Sequence, residues 1–428
     1  MRTVCFACVL LAASAQAQTV VRLDEALALA ETQSVDVLRA DARVFASTVA
    51  VEAVDAQRWP SLNLSAGGGQ RYGLSFDQTS GALTQSTVES MSVGLDARYV
   101  VFDGFERRAE RRAAEAGLRE AELSRAQRRQ QARVEVLGGY LAAARADAAR
   151  GVAKEALEAE RGLLGEIEVR VEFGDRPASE IAQQQERIAA AQSAVLTAER
   201  DLALAHARLV RVLGLDPTET YTFPVPASGA PEASAPLGDL VEDALRRRAD
   251  VRATEVAIQA AEANGRAARA RRLPQVALGA FVGTSYTSAA ASGLTGQIGD
   301  NRTGSLGLSV SLPILDRGAT RRRVRQAEAQ TLALQADAAD TRRTIALEIQ
   351  EHLLRLDALD AQTVLAARRV EAAATAVAAE RARYTGGETT LQSVSLLQAR
   401  LLDARIAQAL LGIEAEFARR LLYLALGR

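Results

Sequence analysis

Cysteine is almost missing from this chain of 428 residues: the two present, Cys5 and Cys8, both fall within the first 17. Their C-x-x-C spacing would suit a redox or metal site in a mature protein. Here it lies in a segment that reads as a leader, so the remainder can hold no disulfide and no thiolate metal site. Histidine is as scarce: His206 and His352 are the only two, too few for a histidine triad or a His-rich metal cluster. Aromatics make up 4% of the residues, which disfavours a thick aromatic core. No segment after the leader approaches the roughly 18 consecutive apolar residues of a membrane-spanning helix. No G-x-S-x-G elbow, phosphate-binding glycine loop or EF-hand pattern occurs. Asp337 and Asp340 stand among arginines and read as solvated ion pairs. An excess of either charge is lacking too: beyond the leader, 51 Lys plus Arg (52 minus Arg2) face 53 Asp plus Glu. That balance gives no reason to expect nucleic acid as a partner. No catalytic residue, metal ligand or cofactor is expected.

What is present begins with the leader. Arg2 precedes an apolar stretch, Val4 to Ala13, and Ala15-Gln16-Ala17 supplies the small residues that a signal peptidase reads. Residues 1–17 are expected to be a signal peptide cleaved after Ala17. Neither cysteine is placed to carry a lipid anchor. An exported chain without a spanning helix is periplasmic, secreted, or a β-barrel of the outer membrane.

The sequence is written twice. Arg58-Trp59-Pro60 recurs as Arg272-Leu273-Pro274, Val101-Phe102-Asp103 as Ile314-Leu315-Asp316, and Leu213-Gly214 as Leu426-Gly427. Arg170-Val171-Glu172-Phe173-Gly174 likewise returns as Arg381-Ala382-Arg383-Tyr384-Thr385. The order is kept and the offset stays between 211 and 214. Such self-similarity marks an internal duplication, with a first repeat at 18–214 and a second at 238–428. Between them, 215–237 holds Pro217, Pro224, Pro226, Pro231 and Pro236 and reads as a linker.

Each repeat reads as a helical stretch, two strands and two more helices. The first stretches are Leu23 to Arg58 and Leu237 to Arg272. Strands are expected at about 60–75 and 87–102, then at about 274–288 and 302–315. In the best of them, Val93, Leu95, Ala97, Tyr99 and Val101 alternate with Ser92, Gly94, Asp96 and Arg98. Leu306, Leu308, Val310, Leu312 and Ile314 alternate with Ser305, Gly307, Ser309 and Ser311. One greasy and one polar face result. That pattern suits a transmembrane barrel strand and equally a half-buried soluble sheet. Gly67-Gly68-Gly69 reads as a bend or a close approach. The Ser-, Thr- and Gly-rich stretches 76–86 and 289–302 read as hairpin loops.

The remaining helices are expected at about 105–172 and 177–213, and at about 319–384 and 388–426. Residues 319–383 contain neither proline nor glycine. At 1.5 Å per residue such a helix extends close to 100 Å, far beyond globular norms. Its apolar positions are largely alanine, which permits close helix packing. Four strands cannot close a barrel, because the smallest have about eight. Sharing among three chains would give twelve.

Taken together, these features resemble the TolC-like outer-membrane efflux and secretion channels, over essentially the whole chain after the leader. The resemblance rests on the duplication, on Trp59-Pro60-Ser61-Leu62 and Leu273-Pro274 opening the strands, and on Phe102-Asp103-Gly104 and Pro313-Ile314-Leu315-Asp316 closing them. Most specific is Arg383-Tyr384-Thr385-Gly386-Gly387 followed by Leu391, Val394 and Leu397. It implies a mixed, mainly α fold, with long antiparallel helices forming a trimeric α-helical barrel and four strands per chain entering a shared 12-stranded transmembrane β-barrel. It implies a non-enzymatic exit channel of a tripartite efflux or type I secretion system. The channel would lie in the outer membrane of a Gram-negative bacterium and extend into the periplasm. Its partners would be two further copies, a periplasmic adaptor, an inner-membrane transporter and outer-membrane lipid. The alternative is a periplasmic coiled-coil adaptor or scaffold without channel activity.

Two groups of site residues follow. Phe173, Gly174, Asp175 and Glu180, with Tyr384, Gly386, Gly387 and Glu388, match the family's periplasmic tip, where adaptor contact and gating occur. The family's acidic residues past these turns are thin here. Asp175 and Glu180 remain in the first repeat, while the second reads Gln392-Ser393-Val394-Ser395-Leu396. The second group is a membrane-interface anchor of Trp59, Arg107, Arg108, Arg321 and Arg322. Cations at helix starts oppose the macrodipole, and lipid phosphate or neighbouring carboxylates would offset that.

Overall fold

The computed structural model describes residues 19–77, 81–224, 235–290 and 292–428. The leader with Cys5 and Cys8, the middle of the proline-rich linker and the apex of the first hairpin lie outside the described residues. The chain divides into two compact units. One comprises Met1–Asp41, Ser124–Val251 and Thr341–Arg428, the other Ala42–Leu123 and Arg252–Asp340.

The duplication is exact in the helices. The first repeat has α1 (Leu23–Gln33, 11 residues), α2 (Val35–Ala56, 22), α3 (Glu106–Glu172, 67) and α4 (Ser179–Leu213, 35). The second has α5 (Leu237–Arg247, 11), α6 (Ala249–Ala270, 22), α8 (Ala319–Thr385, 67) and α9 (Leu391–Ala425, 35). Between α6 and α8 comes a short α7 (Leu294–Asp300). The opening helical stretch of each repeat consists of two helices. Ser34 and Arg248 take extended ψ values of 132° and 131° and break it. Arg248 holds its corner by bonds to Asp250, to Glu348 at 2.8 Å and to the Ala425 carbonyl at 3.0 Å. Among the described residues no helix is long and apolar enough to cross a membrane.

In the first unit, Ala132, Val136, Leu137, Tyr140 and Ala144 recur at helical spacing along α3. They pack on Leu209, Val210 and Leu213 of α4 and on Leu23, Ala26 and Ala30 of α1. Gly139 allows this closeness, since a Cβ there would lie 2.6 Å from Leu209 Cδ1. β1 (Thr19–Val20) pairs in parallel with β4 (Tyr221–Thr222), and the buried Tyr140 hydroxyl donates to the Val21 carbonyl at 2.6 Å.

The second unit holds β2 (Ser61–Asp77), β3 (Ala82–Phe102), β5 (Gln275–Thr287) and β6 (Thr303–Ser311). They form an antiparallel sheet in the order β2-β3-β5-β6. The strands and the inserted α7 break the symmetry of the repeats. β6 ends at Ser311, short of the expected 315, where Pro313 has no N–H to offer a ladder. The stretch 289–302, expected as plain loop, contains α7. Its buried Gln297 takes the place of a neighbouring strand: the side chain accepts from the Thr287 N–H and donates to the Thr287 carbonyl, both at 2.9 Å.

Candidate functional site

The sheet of the second unit is two-faced. The pairings Leu64↔Leu95, Leu95↔Val282, Ala97↔Ala280 and Ala280↔Leu306 place Leu62, Leu64, Val93, Leu95, Tyr99, Leu278, Val282, Leu306, Leu308 and Val310 on one face. Nearly all are exposed. The opposite face carries Asn63, Ser65, Ser92, Asp96, Arg98, Gly279, Ser305 and Ser309, with Asn63 Nδ2 donating to Asp96 at 3.1 Å. Along β3 the apolar face runs from Met91 to Val101. About ten steps of 3.3 Å at a tilt near 40° rise roughly 25 Å, the height of a barrel's lipid-facing band. Above it, Gln70 and Glu89 pair on the same face at 2.8 Å, and polar side chains begin. Among the described residues β2 and β6 are each paired on one side only, which leaves two rows of backbone groups open to further strands.

Phe281 is the exception to the alternation. It stands on the polar face, 39% exposed, lying over Gly94 and Gly283, where an added Cβ would come within 2.7 Å and 2.6 Å of its ring. The ring fills the space those glycines leave. The alternation pattern gave no sign of it. Its signal was the pair of glycines, Gly94 and Gly283, that register sets opposite each other beside it.

Strand gives way to helix through two left-handed residues in each repeat. They are Gly104 (φ 67°) and Phe105 (φ 69°), then Arg317 (φ 53°) and Gly318 (φ 76°). Asp103 accepts from the Arg107 N–H, and Asp316 from those of Gly318 and Thr320, so each aspartate caps a long helix. The anchor residues then separate. Arg107 is spent on the protein: it bonds Asp103 at 2.7 Å, the Gln57 carbonyl at 2.8 Å and the Val100 carbonyl at 2.9 Å. Arg322 turns back to the Arg317 carbonyl at 2.8 Å. Arg108 and Arg321 are exposed and have no ion pair among the described residues, and Trp59 is 78% exposed.

In the first unit the two helix-to-helix turns come together. Tyr384, 1% exposed, packs with Leu163, Ile167, Leu391 and Val394. Its hydroxyl donates to Glu180 Oε2 at 2.6 Å. The Arg176 guanidinium lies 4.2 Å from the ring centroid, donates to the Tyr384 carbonyl at 2.7 Å and stands 3.8 Å from Glu180. Arg170 donates to the Thr385 carbonyl at 3.0 Å. Glu180, whose side chain is 13% exposed, is therefore clamped between Tyr384 and Arg176 and is not a free acid at an opening. Asp175, Glu388, Phe173 and the two left-handed glycines, Gly174 (φ 77°) and Gly387 (φ 78°), are exposed, as is Gly386. Arg176 and Gln184 escaped the sequence reading. Gln184 is fully buried and donates to the Glu160 carbonyl at 2.9 Å and carboxylate at 2.6 Å. It stands in the stripe of Ile181 and Ile188, where a polar residue is itself a signal.

Burial, reinforced by the Glu180 carboxylate, pushes the Tyr384 phenol up to about 12 from a usual value of 10. A phenol raised by folding contributes stability that is complete below its unfolded pKa and is lost as pH rises through the folded one. The turns are thus expected to hold to about pH 10 and to loosen between there and about 12. Hydrogen exchange of residues 384–394 read across that window checks this, and Tyr384→Phe should remove the dependence.

The sequence matches the family described as "Outer membrane efflux protein" over residues 26–215 and 240–428. It is 28% identical to the pyoverdine export outer membrane protein OpmQ of Pseudomonas putida, over 95% of this chain and 85% of that one. In fold it is similar to the outer membrane protein VceC of Vibrio cholerae, with a TM-score of 0.76 at 23% identity, covering 95% of this chain and 96% of that chain. It is similar also to CusC, whose structures concern transmembrane channel formation, with a TM-score of 0.81 at 20% identity, covering 95% and 92%.

Proposed function

Because the chain belongs to the outer membrane efflux protein family, we propose that three copies of it assemble into the exit duct of a tripartite efflux or type I secretion machine. The protein is a non-enzymatic channel of the outer membrane that serves efflux or secretion. The observation that carries the trimer is the open sheet, apolar on one face, polar on the other, and unpaired at β2 and β6. Joining β6 of one copy to β2 of the next removes both edges, and twelve strands close a barrel with the apolar face toward lipid. Helices of 67 residues are about 100 Å long, a length that supports contact with a periplasmic adaptor and an inner-membrane transporter. The exposed turn residues Phe173, Gly174, Asp175, Gly386, Gly387 and Glu388 make the adaptor contact. Transport energy comes from the pump, and the channel conducts passively.

Clamping of Tyr384 by Arg176 and Glu180 supports a resting state in which the two repeats hold each other at the tip. Asp175 and Glu388, with Glu172, are carboxylates exposed there, and they favour cations. The pyoverdine exporter relative supports a small organic cargo. Trp59, Arg108 and Arg321 are the interfacial anchors, while Arg107 and Arg322 brace the corners.

Single-channel recording in planar bilayers tests the reading. Discrete steps are expected from purified trimers, and folded trimers without conductance would sink it. Phe281 would stand on the inner wall of such a barrel. Phe281→Ala is expected to raise conductance by less than about twofold, since a barrel of this strand number is wide relative to one ring. A larger rise would make Phe281 the constriction.

A further inference from the structure

We propose that the cleft between the end of α2 and the start of α3 binds the phosphate headgroup of a membrane phospholipid, one per chain. The proposal rests on the membrane-embedded reading of the sheet and deepens it. The cleft has a volume of about 540 Å³ and is lined by Arg58, Arg108, Arg111, Asp55, Tyr99 and Phe105, with Asp103 and Arg107 behind. Asp103 and Arg107 satisfy each other at 2.7 Å. That leaves Arg58, Arg108 and Arg111: Asp55 takes Arg58 at 3.2 Å and Arg111 at 3.0 Å, and Glu115 takes Arg111 as well at 3.3 Å. Arg108 has no ion pair among the described residues. The cleft is therefore cationic, with one arginine entirely free for an anion.

A second cleft, of about 380 Å³, shares Arg58 and Tyr99 with the first. Its floor is the apolar face of the central strands, Ala97, Leu278 and Ala280, and Trp59 stands at its rim. A cationic cleft that opens onto lipid-facing sheet matches a molecule with an anionic head and an apolar tail. A free phosphate would have no use for the apolar floor. The depth fits too, because the cleft lies at the helical end of the roughly 25 Å apolar band, where headgroups begin. Exposed Trp59 and Phe105 are the residue types that settle at that level. The second repeat does not rebuild the site: Leu273 stands where Trp59 does, and Val324 where Arg111 does.

Trp59 is the single tryptophan of the chain, so its fluorescence reports on this cleft alone. Reconstitute the full-length protein in phosphatidylcholine vesicles containing a small fraction of phosphatidylglycerol brominated on its acyl chains. Quenching of Trp59 is expected at several times the level that random mixing gives. In the R58Q/R108Q variant, retention of phosphatidylglycerol by native mass spectrometry should fall about tenfold, as loss of two membrane-facing cations implies. An R400Q control, at an exposed position of α9 in the first unit, should retain it. Quenching no higher than random mixing, or unchanged retention in the double variant, overturns the site. So does displacement of the lipid by millimolar inorganic phosphate, which would reveal an ion site only. The wild-type quenching result stands even where a variant folds poorly. Conductance with random quenching ends this proposal alone, whereas absent conductance ends the channel reading.

Discussion

Gly104→Ala is expected to cost about 3 kcal/mol or more and to leave little assembled protein. Two effects combine. Gly104 has φ 67°, where an alanine is disfavoured by roughly 1–2 kcal/mol. Its Cβ would also lie 2.7 Å from the Ala270 carbonyl oxygen and 2.7 Å from Leu273 Cβ, so backbone must move. The glycine of the other corner, Gly318, separates the two effects. Its φ is 76°, but the nearest atom to an added Cβ is the flexible end of Arg322 at 3.6 Å. Gly318→Ala should therefore cost only the conformational part, about 1–2 kcal/mol. Thermal melting of both variants in detergent, beside wild type, decides it. Equal shifts would mean that the crowding at Gly104 relaxes without cost.

Loosening the turns around Tyr384 is expected to have the second large effect. Tyr384→Phe removes a 2.6 Å hydrogen bond to a largely buried carboxylate and leaves Glu180 with Arg176 alone. A bond to a charged group contributes about 1.5–3 kcal/mol, which is roughly a 10- to 100-fold change in an equilibrium. Arg176→Ala removes the cation over the ring as well as the bonds to the Tyr384 and Thr389 carbonyls. Open probability in single-channel records is expected to rise by one to two orders of magnitude in each variant. Tyr384→Phe and Glu180→Gln should be strongly non-additive, because they break one interaction. Unchanged gating in all three would assign the cluster to tip stability and place the gate elsewhere.

Much of this was legible locally. Strand alternation depends on neighbours two apart, and it marked the lipid-compatible face before any pairing was known. The Asp103-Gly104 corner and the proline- and glycine-free run 319–383 are local signals as well. The arginines were not separable in this way. Arg107 and Arg108 are adjacent and chemically identical, yet one is consumed by Asp103, Gln57 and Val100 while the other is free. Only the meeting of the ends of α2 and β3 with α3 makes that difference.

By itself the sequence determined the duplication, the order of the long helices and sheet strands, and the two-faced strands, because periodicity and turn chemistry act within a few residues. The tertiary structure decided which polar groups remain available. Glu180 reads as an acid at a helix start until Tyr384, 204 positions away, closes on it. Phe281 reads as an error in the alternation until Gly94 arrives from β3. Each of these outcomes depends on contacts between residues far apart in the chain, and those exist only once the backbone is folded.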